Sequence, residues 1–563
     1  MRKVTTTVAA ALVAFSFAAC NKTNNEAAPE VAQGNTYAQL TFQETGLRAI
    51  QDGQKDAPGI EGESVVNNAS FFAGSASQAV TMSEVDGFTA TGAEEKKAYK
   101  SEVFEYGGVM GTPISSGLVV NLNTLTPADF KADKKLGIGE LGKLTSKEGF
   151  VMSSRTDGDK ITIKEGAEAT EESVKAKNNY FSYQVERVAS KAQASTPAGG
   201  VAVNIKEGGL ALFDKSEEEK AAVEGLRYAL AGSAKEVYLF ADKAGTRDLG
   251  ADQTYGAKNE IKYETAIHGV AATTKNAQGM YEKQRDLQKV SDLSLTTLSD
   301  DPKFGELNSL PLVADAKYQD TSNKNGIFFL ENDVKSEDPD YSDIAYFKVY
   351  GKFEPAANLF KLNDAKDGVE AATMADVKDA REEKVVVTEE WYNANKNNFG
   401  KGAKVDKDVV ADGEAQTYTV TVKIAAGSIF YNPANRRFYT SPLAARVDNG
   451  DKNQKVETIL YKGGKMLWQT PANGQYKARY FNTRRNNIYS IQVNEITGLG
   501  LNFDPADTTD PNCPKPNPED NPDEKPHKDD NKVIKKTTNI QVEAKILKWN
   551  LVYRGVSLNG QSL

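Results

Sequence analysis

Histidine, cysteine and positive charge are what this chain has least of. Its 563 residues include two His, two Cys and three Trp, and 69 Lys+Arg stand against 78 Asp+Glu, a formal charge of -9. With so little imidazole, Ser-His relays, His-based acid/base catalysis and most transition-metal sites are excluded. The acidic balance excludes the basic footprint of a nucleic-acid binder. The two cysteines, Cys20 and Cys513, lie at opposite ends and build no disulfide framework. No segment reaches the ~18 apolar residues of a membrane-spanning helix. What is present is length, 39% apolar positions and 45 Gly, enough for two or three domains that each bury a core.

The first residues have a processing signature. Arg2 and Lys3 precede an apolar run from Val8 to Ala19, broken only by Ser16, and Ala18-Ala19 stand directly before Cys20. A basic start, an apolar stretch too short to span and small residues before the cut predict a signal peptide. The cysteine after them predicts cleavage between Ala19 and Cys20 and acylation of the Cys20 thiol. Each acyl chain would add ~0.8 kcal/mol of membrane affinity per buried methylene. A polar tether, Asn21 to Asn35, leads to Thr36-Tyr37-Ala38-Gln39-Leu40-Thr41-Phe42-Gln43. There Ala38, Leu40 and Phe42 alternate with polar residues, which predicts a half-buried strand. Just beyond, Gly46-Leu47-Arg48-Ala49 runs into the polar stretch Gln51 to Asp56, the type of turn that proteases reach.

Strand patterns dominate from residue 60 to 500. The clearest is Thr417 to Ile424, and others fall at 117–120, 160–163, 201–205, 236–240, 346–353 and 487–496. Two helices are expected between them. Ser216 with Glu217-Glu218-Glu219 forms a capping box before Leu226 and Leu230, with Gly232 as the stop, and Pro127 opens a short helix after Thr126. Short strands with Gly- and Asn-rich turns predict β-sandwich domains carrying small helical insertions. Between Pro505 and Pro526 the composition changes, with seven of the 19 prolines among acidic and Asn residues, an extended spacer without a core. After it Ile540, Val542, Ala544 and Ile546 alternate with polar residues, and Leu547, Trp549, Leu551 and Tyr553 continue on the opposite parity. The parity change predicts a bulge at Ile546-Leu547 or a crossing between two sheets. Such a strand either folds back on its own domain or is offered to another molecule.

Other motifs carry no chemistry. Gly137-Ile138-Gly139-Glu140-Leu141-Gly142 is a literal G-x-G-x-x-G, but it follows the charged, helical-looking stretch Asp129–Leu136 instead of an apolar strand, so a turn is expected. Asp157-Gly158-Asp159 and Asp504-Pro505-Ala506-Asp507 lack the spacing of a calcium loop. His268 has no patterned partner, His527 lies in the spacer, and Glu389-Glu390 is one acidic pair among many. No catalytic residue, metal site or cofactor is expected, and an enzyme is the least expected class.

The segment Arg484-Arg485-Asn486-Asn487-Ile488-Tyr489-Ser490-Ile491-Gln492-Val493-Asn494-Glu495-Ile496, the spacer, and Ile540-Gln541-Val542-Glu543-Ala544-Lys545-Ile546-Leu547-Lys548-Trp549 together resemble the type V fimbrilins of Bacteroidales, in particular the Mfa-type shaft fimbrilin of minor fimbriae. The lipoprotein start, the strand and Arg at Tyr37 to Ala49, the segment Val185-Glu186-Arg187-Val188-Ala189 and the overall length agree with it. The resemblance implies two transthyretin-like β-sandwich domains and a donor-strand tail in a subunit of an adhesive surface fimbria that serves adhesion and biofilm formation. It further implies a lipidated precursor held in the outer membrane, cut between Arg48 and Ala49 by an Arg-specific surface protease. The strand bearing Ala38, Leu40 and Phe42 would be removed, and a tail bearing Ile540, Val542, Ala544, Ile546, Leu547, Trp549 and Leu551 would enter the next copy. The partners implied are copies of the chain itself, accessory tip and anchor subunits, the protease, and receptors on host or bacterial surfaces.

The organisation expected is a signal peptide at 1–19, a lipidated propeptide at 20–48, sandwich domains at 49–195 and 196–502, the spacer at 503–536 and the tail at 537–563. Removing 1–48, with four basic and three acidic residues, takes the charge from -9 to -10. Two other roles remain open: a non-polymerising surface lipoprotein that captures a glycan or other ligand, and a tip or anchor subunit of the fimbria.

Overall fold

The computed structural model describes residues 35–502 and 540–550, apart from stretches of which the longest are 45–55, 59–64, 212–220, 243–263, 267–309, 315–326, 332–343 and 474–482. Short strands make up most of it, with short helices between them. In chain order the principal strands are β1 (Thr36–Glu44), β2 (Asp56–Pro58), β3 (Ala69–Ser75), β4 (Gln78–Val85), β5 (Ala98–Lys100), β6 (Phe104–Tyr106), β7 (Pro113–Val120), β8 (Lys135–Gly137), β9 (Met152–Ser154) and β10 (Tyr180–Arg187). They continue with β11 (Ala189–Thr196), β12 (Ala221–Ala231), β13 (Glu236–Asp242), β14 (Ile327–Leu330), β15 (Tyr346–Pro355), β16 (Arg381–Thr388), β17 (Thr417–Ile424), β18 (Lys465–Pro471), β19 (Asn487–Ile496) and β20 (Ile540–Asn550).

Ten strands form the first sheet, in the order β4-β3-β7-β9-β10-β1-β5 with Thr89–Thr91 at the end, β6 alongside β1 and Ile161–Thr162 alongside β7. Its core gathers Ala38, Leu40 and Phe42 with Phe71, Tyr106, Ile114, Leu118 and Val185, all fully buried. The second sheet runs β2-β20-β19-β11, with β14 on β11, and β12, β15 and β18 form a third layer against it, sharing the core of Tyr228, Phe347, Trp468, Tyr489 and Ile491. The all-β sequence reading therefore stands, with small helical insertions. The chain passes from the first sheet to the second at Val188, between β10 and β11, and a third apolar cluster covers that passage. Phe72 and Val119 of the first sheet, with Phe150 of a separate two-stranded ribbon, meet Val188, Phe240, Phe328 and Ile488 there. Residues 359–462 build a smaller body in which α1 (Glu389–Asn395) and α2 (Pro442–Asp448) pack with β16 and β17 around Trp391, Val420 and Leu443. Thr388 and Ser441 cap these helices, each accepting a backbone N–H with its hydroxyl.

Several sequence expectations meet their outcome here. Pro127–Phe130 is a one-turn 3-10 helix, with Asp129 accepting from the Thr126 backbone N–H at 2.8 Å. Helix over Asp129–Leu136 is corrected, because Lys135–Gly137 pairs as β8 with β13. The helix expected between Ser216 and Gly232 is corrected as well: Ala221–Ala231 is strand β12, paired along β15 from Ala221↔Pro355 to Ala231↔Tyr346 with one bulge at Glu224/Arg227. Leu226 and Leu230 are four apart, which fits a helix turn, but they also share the parity of Tyr228, and pairing with β15 buries Tyr228 and Leu230 completely. Tertiary pairing overrides a weak local preference. Gly232 does end the element, although as the turn out of a strand, with φ +77 and its α-carbon against the carbonyl of Ile344. The calcium-like aspartates, His268, His527 and the remainder of the G-x-G-x-x-G lie outside the described residues.

Gly232→Ala would drive a Cβ into Ile344 O in a conformation that L-residues avoid. It is expected to cost roughly 2 kcal/mol or more, read as a lowered midpoint in urea denaturation.

Candidate functional site

The element with the most unusual placement is β1. It joins the first sheet between β10, with which it runs parallel from Gln39↔Tyr180 to Glu44↔Val185, and β5 and β6, with which it runs antiparallel. A strand with ladders on both edges is interior to its sheet. Its alternation gives Ala38, Leu40 and Phe42 one face, where all three are fully buried. The Phe42 ring lies between Phe88 and Tyr99, with centroids 5.3 Å from each. At ~1.5 to 3 kcal/mol per large apolar side chain removed from water, these residues are a principal anchor of the first core.

The opposite face departs from the half-buried strand expected from the sequence, because Gln39 and Thr41 are buried there, and Thr36, at the head of the apolar face, is buried too. Each buried polar group needs a partner. The Thr36 hydroxyl donates to Lys164 O (3.0 Å) and accepts from the Ala167 N–H (3.0 Å), and Asn179 Nδ2 approaches it at 3.5 Å while donating to Tyr37 O at 3.1 Å. Gln39 Nε2 donates to Ser101 O (2.8 Å), the Leu40 N–H donates to Ser101 Oγ (3.1 Å), and the Ser101 N–H donates back to Leu40 O (3.0 Å). Asn179 follows the helix Glu171–Ala176, and its φ-positive neighbour Asn178 turns the chain into β10. Thr36, Gln39, Ser101 and Asn179 escape a hydropathy reading, since each is polar. The only sequence signal is a Gln and a Thr set three apart inside an otherwise β-forming run.

Of the residues expected to act with this strand, Ala19, Cys20, Arg48 and Ala49 lie outside the described residues, as does Leu551. The tail residues Ile540, Val542, Ala544, Ile546, Leu547 and Trp549 fall on β20. That strand pairs antiparallel with β19 of the same chain, from Asn487↔Lys548 to Ile496↔Ile540. Of the two fates open to the tail in the sequence, folding back on its own domain is the one seen. The register slips once, at Val493/Glu495 on β19, so the bulge expected at Ile546-Leu547 is corrected: Tyr489↔Ile546 and Ile488↔Leu547 are consecutive pairs. The partner strand absorbs the extra residue. On its other edge β20 pairs parallel with β2, Asp56↔Lys548 through Pro58↔Asn550.

The Arg-Asn-Asn segment has a structural task at the junction between the sheets. Arg485 is fully buried and meets the equally buried Glu331, with Nε 2.9 Å from Oε1 and its backbone N–H 3.0 Å from Oε2. Its remaining N–H groups donate to Leu239 O (3.0 Å) and Tyr238 O (2.6 Å) on β13, which pairs with the first body through β8. Asn486, with φ 58, accepts from Arg187 Nη1 (3.0 Å) and donates its backbone N–H to Ala189 O (3.0 Å). Arg187 belongs to the Val185–Ala189 segment noted in the sequence, and it too is fully buried.

Residues 460–553 match a family model described as major fimbrial subunit protein type IV, fimbrillin, C-terminal. Over these residues the chain is similar to a fimbrillin C-terminal region. The matched stretch takes in β18, the Arg-Asn-Asn segment, β19, the spacer and β20, and so agrees with the resemblance read from the same residues. No curated protein matches the chain in sequence. Among solved structures, a candidate cell adhesion protein from Parabacteroides distasonis is similar at 11% identity, covering 91% of this chain and 97% of its own, with a TM-score of 0.36. One from Bacteroides eggerthii has 11% identity, 92% and 98% coverage and a TM-score of 0.36. The tip fimbrial protein Mfa3 from Porphyromonas gingivalis, with a C-terminal truncation, has 11% identity, 92% and 100% coverage and a TM-score of 0.28. Among the described residues no cluster of three His, Cys, Asp or Glu could hold a metal, and no helix is long and apolar enough to cross a membrane.

Two stability predictions test this geometry. Phe42→Ala removes a ring held between two others and is expected to cost about 3–5 kcal/mol, read by denaturation of the intact chain. Glu331→Gln leaves the Arg485 charge buried without its counterion and should cost about 3–5 kcal/mol, whereas the paired change Glu331→Leu with Arg485→Met should recover much of that loss.

Proposed function

We propose that the protein is the shaft subunit of an adhesive surface fimbria, assembled by strand exchange. The fimbrial role follows from the fimbrillin region; the steps are our reading. The chain is exported as a precursor cut between Ala19 and Cys20, acylated on Cys20 and held in the outer membrane. An Arg-specific surface protease cuts between Arg48 and Ala49. β1 then leaves, and the tail of another copy, bearing Ile540, Val542, Ala544, Ile546, Leu547, Trp549 and Leu551, takes its place. Copies of the chain, tip and anchor subunits, and receptors on host or bacterial surfaces are the partners of the finished fibre. Its work is noncovalent, and no catalytic step is assigned to it.

The observation that carries this reading is the interior place of β1, whose last residue, Glu44, stands only four positions before Arg48. While attached, β1 competes for its groove as an intramolecular partner at high effective concentration, and a strand from another molecule is kept out. Once cut, it is no longer tethered to its groove and leaves with the lipidated piece, and the vacated groove needs ladder bonds and apolar contacts that β-augmentation supplies. Cleavage also separates the subunit from its lipid. A second support is the connection to the tail. β19 and β20 form an antiparallel pair, which a loop of two to five residues closes, yet residues 497–539 intervene, among them the 37 of 503–539. Extended at ~3.1 Å per residue, such a Pro-rich chain reaches roughly 110 Å.

The pairing of β20 with its own β19 favours one other reading, a surface lipoprotein that keeps its lipid, does not polymerise and captures a ligand. The N-terminal residue of surface-extracted protein separates the two, since Ala49 is expected for the fimbrial subunit and acylated Cys20 for the lipoprotein. Arg48→Ala is expected to leave a lipidated monomer, and deletion of residues 540–563 a cleaved monomer. A polymer ladder on a denaturing gel from either variant would defeat the strand-exchange reading.

A further inference from the structure

We propose that the incoming tail enters the groove of β1 in one register, with Thr538 in the place of Thr36 and Gln541 in the place of Gln39; this rests on the strand-exchange reading above and specifies its joint. The groove sets two polar conditions on any occupant. One end offers the Ala167 N–H, which the Thr36 hydroxyl accepts at 3.0 Å, and Lys164 O, which takes that hydroxyl at 3.0 Å together with Asn179 Nδ2 at 2.8 Å. Three residues on, Ser101 O accepts from the Gln39 amide at 2.8 Å. The bonds of the Ala167 N–H and of Ser101 O are buried, and an occupant that left these two groups unpartnered would forfeit about 1–3 kcal/mol at each. A hydroxyl and an amide three positions apart, with apolar residues on either side of the amide, are therefore what the groove selects.

β1 meets these conditions with Thr36-Tyr37-Ala38-Gln39-Leu40, and the tail repeats them as Thr538-Asn539-Ile540-Gln541-Val542. From Thr537 to Leu563 no other Ser or Thr stands three positions before a Gln or Asn, so the polar conditions single out one register among the many that apolar alternation allows. The tail then runs in the direction of β1, parallel to β10, with Val542 replacing Leu40 and Glu543 replacing Thr41. Ala544 falls where Phe42 lies between Phe88 and Tyr99. The match is good at the polar anchors, poor at the aromatic slot, and costly at the buried position of Thr41, where a carboxylate enters. That difference in fit keeps the tail the weaker occupant, so that it does not displace an uncut β1 and the exchange waits for cleavage.

The register can be read by disulfide trapping. Thr41 is the Cα partner of Ser182 on β10, so in this register Glu543 of the incoming tail faces Ser182 of the receiving copy. In the full-length protein with Cys513→Ser, processed by an Arg-specific protease, Ser182→Cys is combined in turn with Gln541→Cys, Glu543→Cys or Lys545→Cys. Paired strands place Cα atoms within the 4.4–6.8 Å range that a disulfide spans, and the expected result is an intermolecular cross-link concentrated at position 543. Ladders that cross-link at 541 or 545 instead would overturn the register and leave strand exchange standing. The absence of ladders in the three variants and in their processed parent would overturn strand exchange and the register with it. Ala544→Phe refills the aromatic slot and should raise the temperature at which ladders dissociate in detergent; a lowered temperature would count against the register.

Discussion

The first sheet depends on having a strand between β10 and β5. β1 supplies hydrogen-bond ladders to neighbours on both edges, three apolar side chains to the core on one face, and buried Thr and Gln groups on the other. Elsewhere in a sheet the loss of a peripheral strand exposes an edge. Here the loss opens the middle, stranding carbonyl and amide groups on two strands at once together with the faces of Phe88, Tyr99 and Phe104. Such a void has no stable empty form in water, because unpaired buried polar groups and uncovered apolar surface each cost kilocalories. The groove is thus a demand for a strand, and the identity of the strand is set by what lines it.

The join between the sheets answers a different requirement. Arg485 reaches from the segment before β19 to the carbonyls of β13, Glu331 neutralises it, and Arg187 and Asn486 tie the end of β10 to the start of β19. Around these polar groups lies an apolar cluster drawn from both sheets. A buried ion pair is a poor source of net stability but a demanding one geometrically, since its desolvation is offset only when every hydrogen bond is made. The arrangement therefore fixes how the two sheets are set against one another.

Much of this was legible in the sequence, and the failures have identifiable causes. The strands at 417–424, 346–353 and 487–496 show their alternation openly and appear as β17, β15 and β19. Leu226, Tyr228 and Leu230 satisfy both a helical and a strand period, and only the presence of β15, more than a hundred residues away, decides between them. β1 is recognisable as a strand from Ala38, Leu40 and Phe42. Its burial on both faces is not recognisable, because the groups that bond the Thr36 hydroxyl and the Gln39 amide nitrogen come from Ser101, Lys164, Ala167 and Asn179. Arg485 stands out only as part of a family-like segment; nothing local announces that a guanidinium will be enclosed, since its carboxylate partner is Glu331.

The short strand β2 ties these features together. β1 ends at Glu44 in the first sheet and β2 begins at Asp56 on the outer edge of β20 in the second, so the chain passes from one sheet to the other between them. In an uncut chain β2 is covalently continuous with β1. After any cut between the two it stands near a free chain end, secured to β20 by three residue pairs, and chain ends held so lightly fray readily. The peptide bond that retains β1 is thus also one that steadies the outer edge of β20, and a single scission loosens two strands that lie in different sheets.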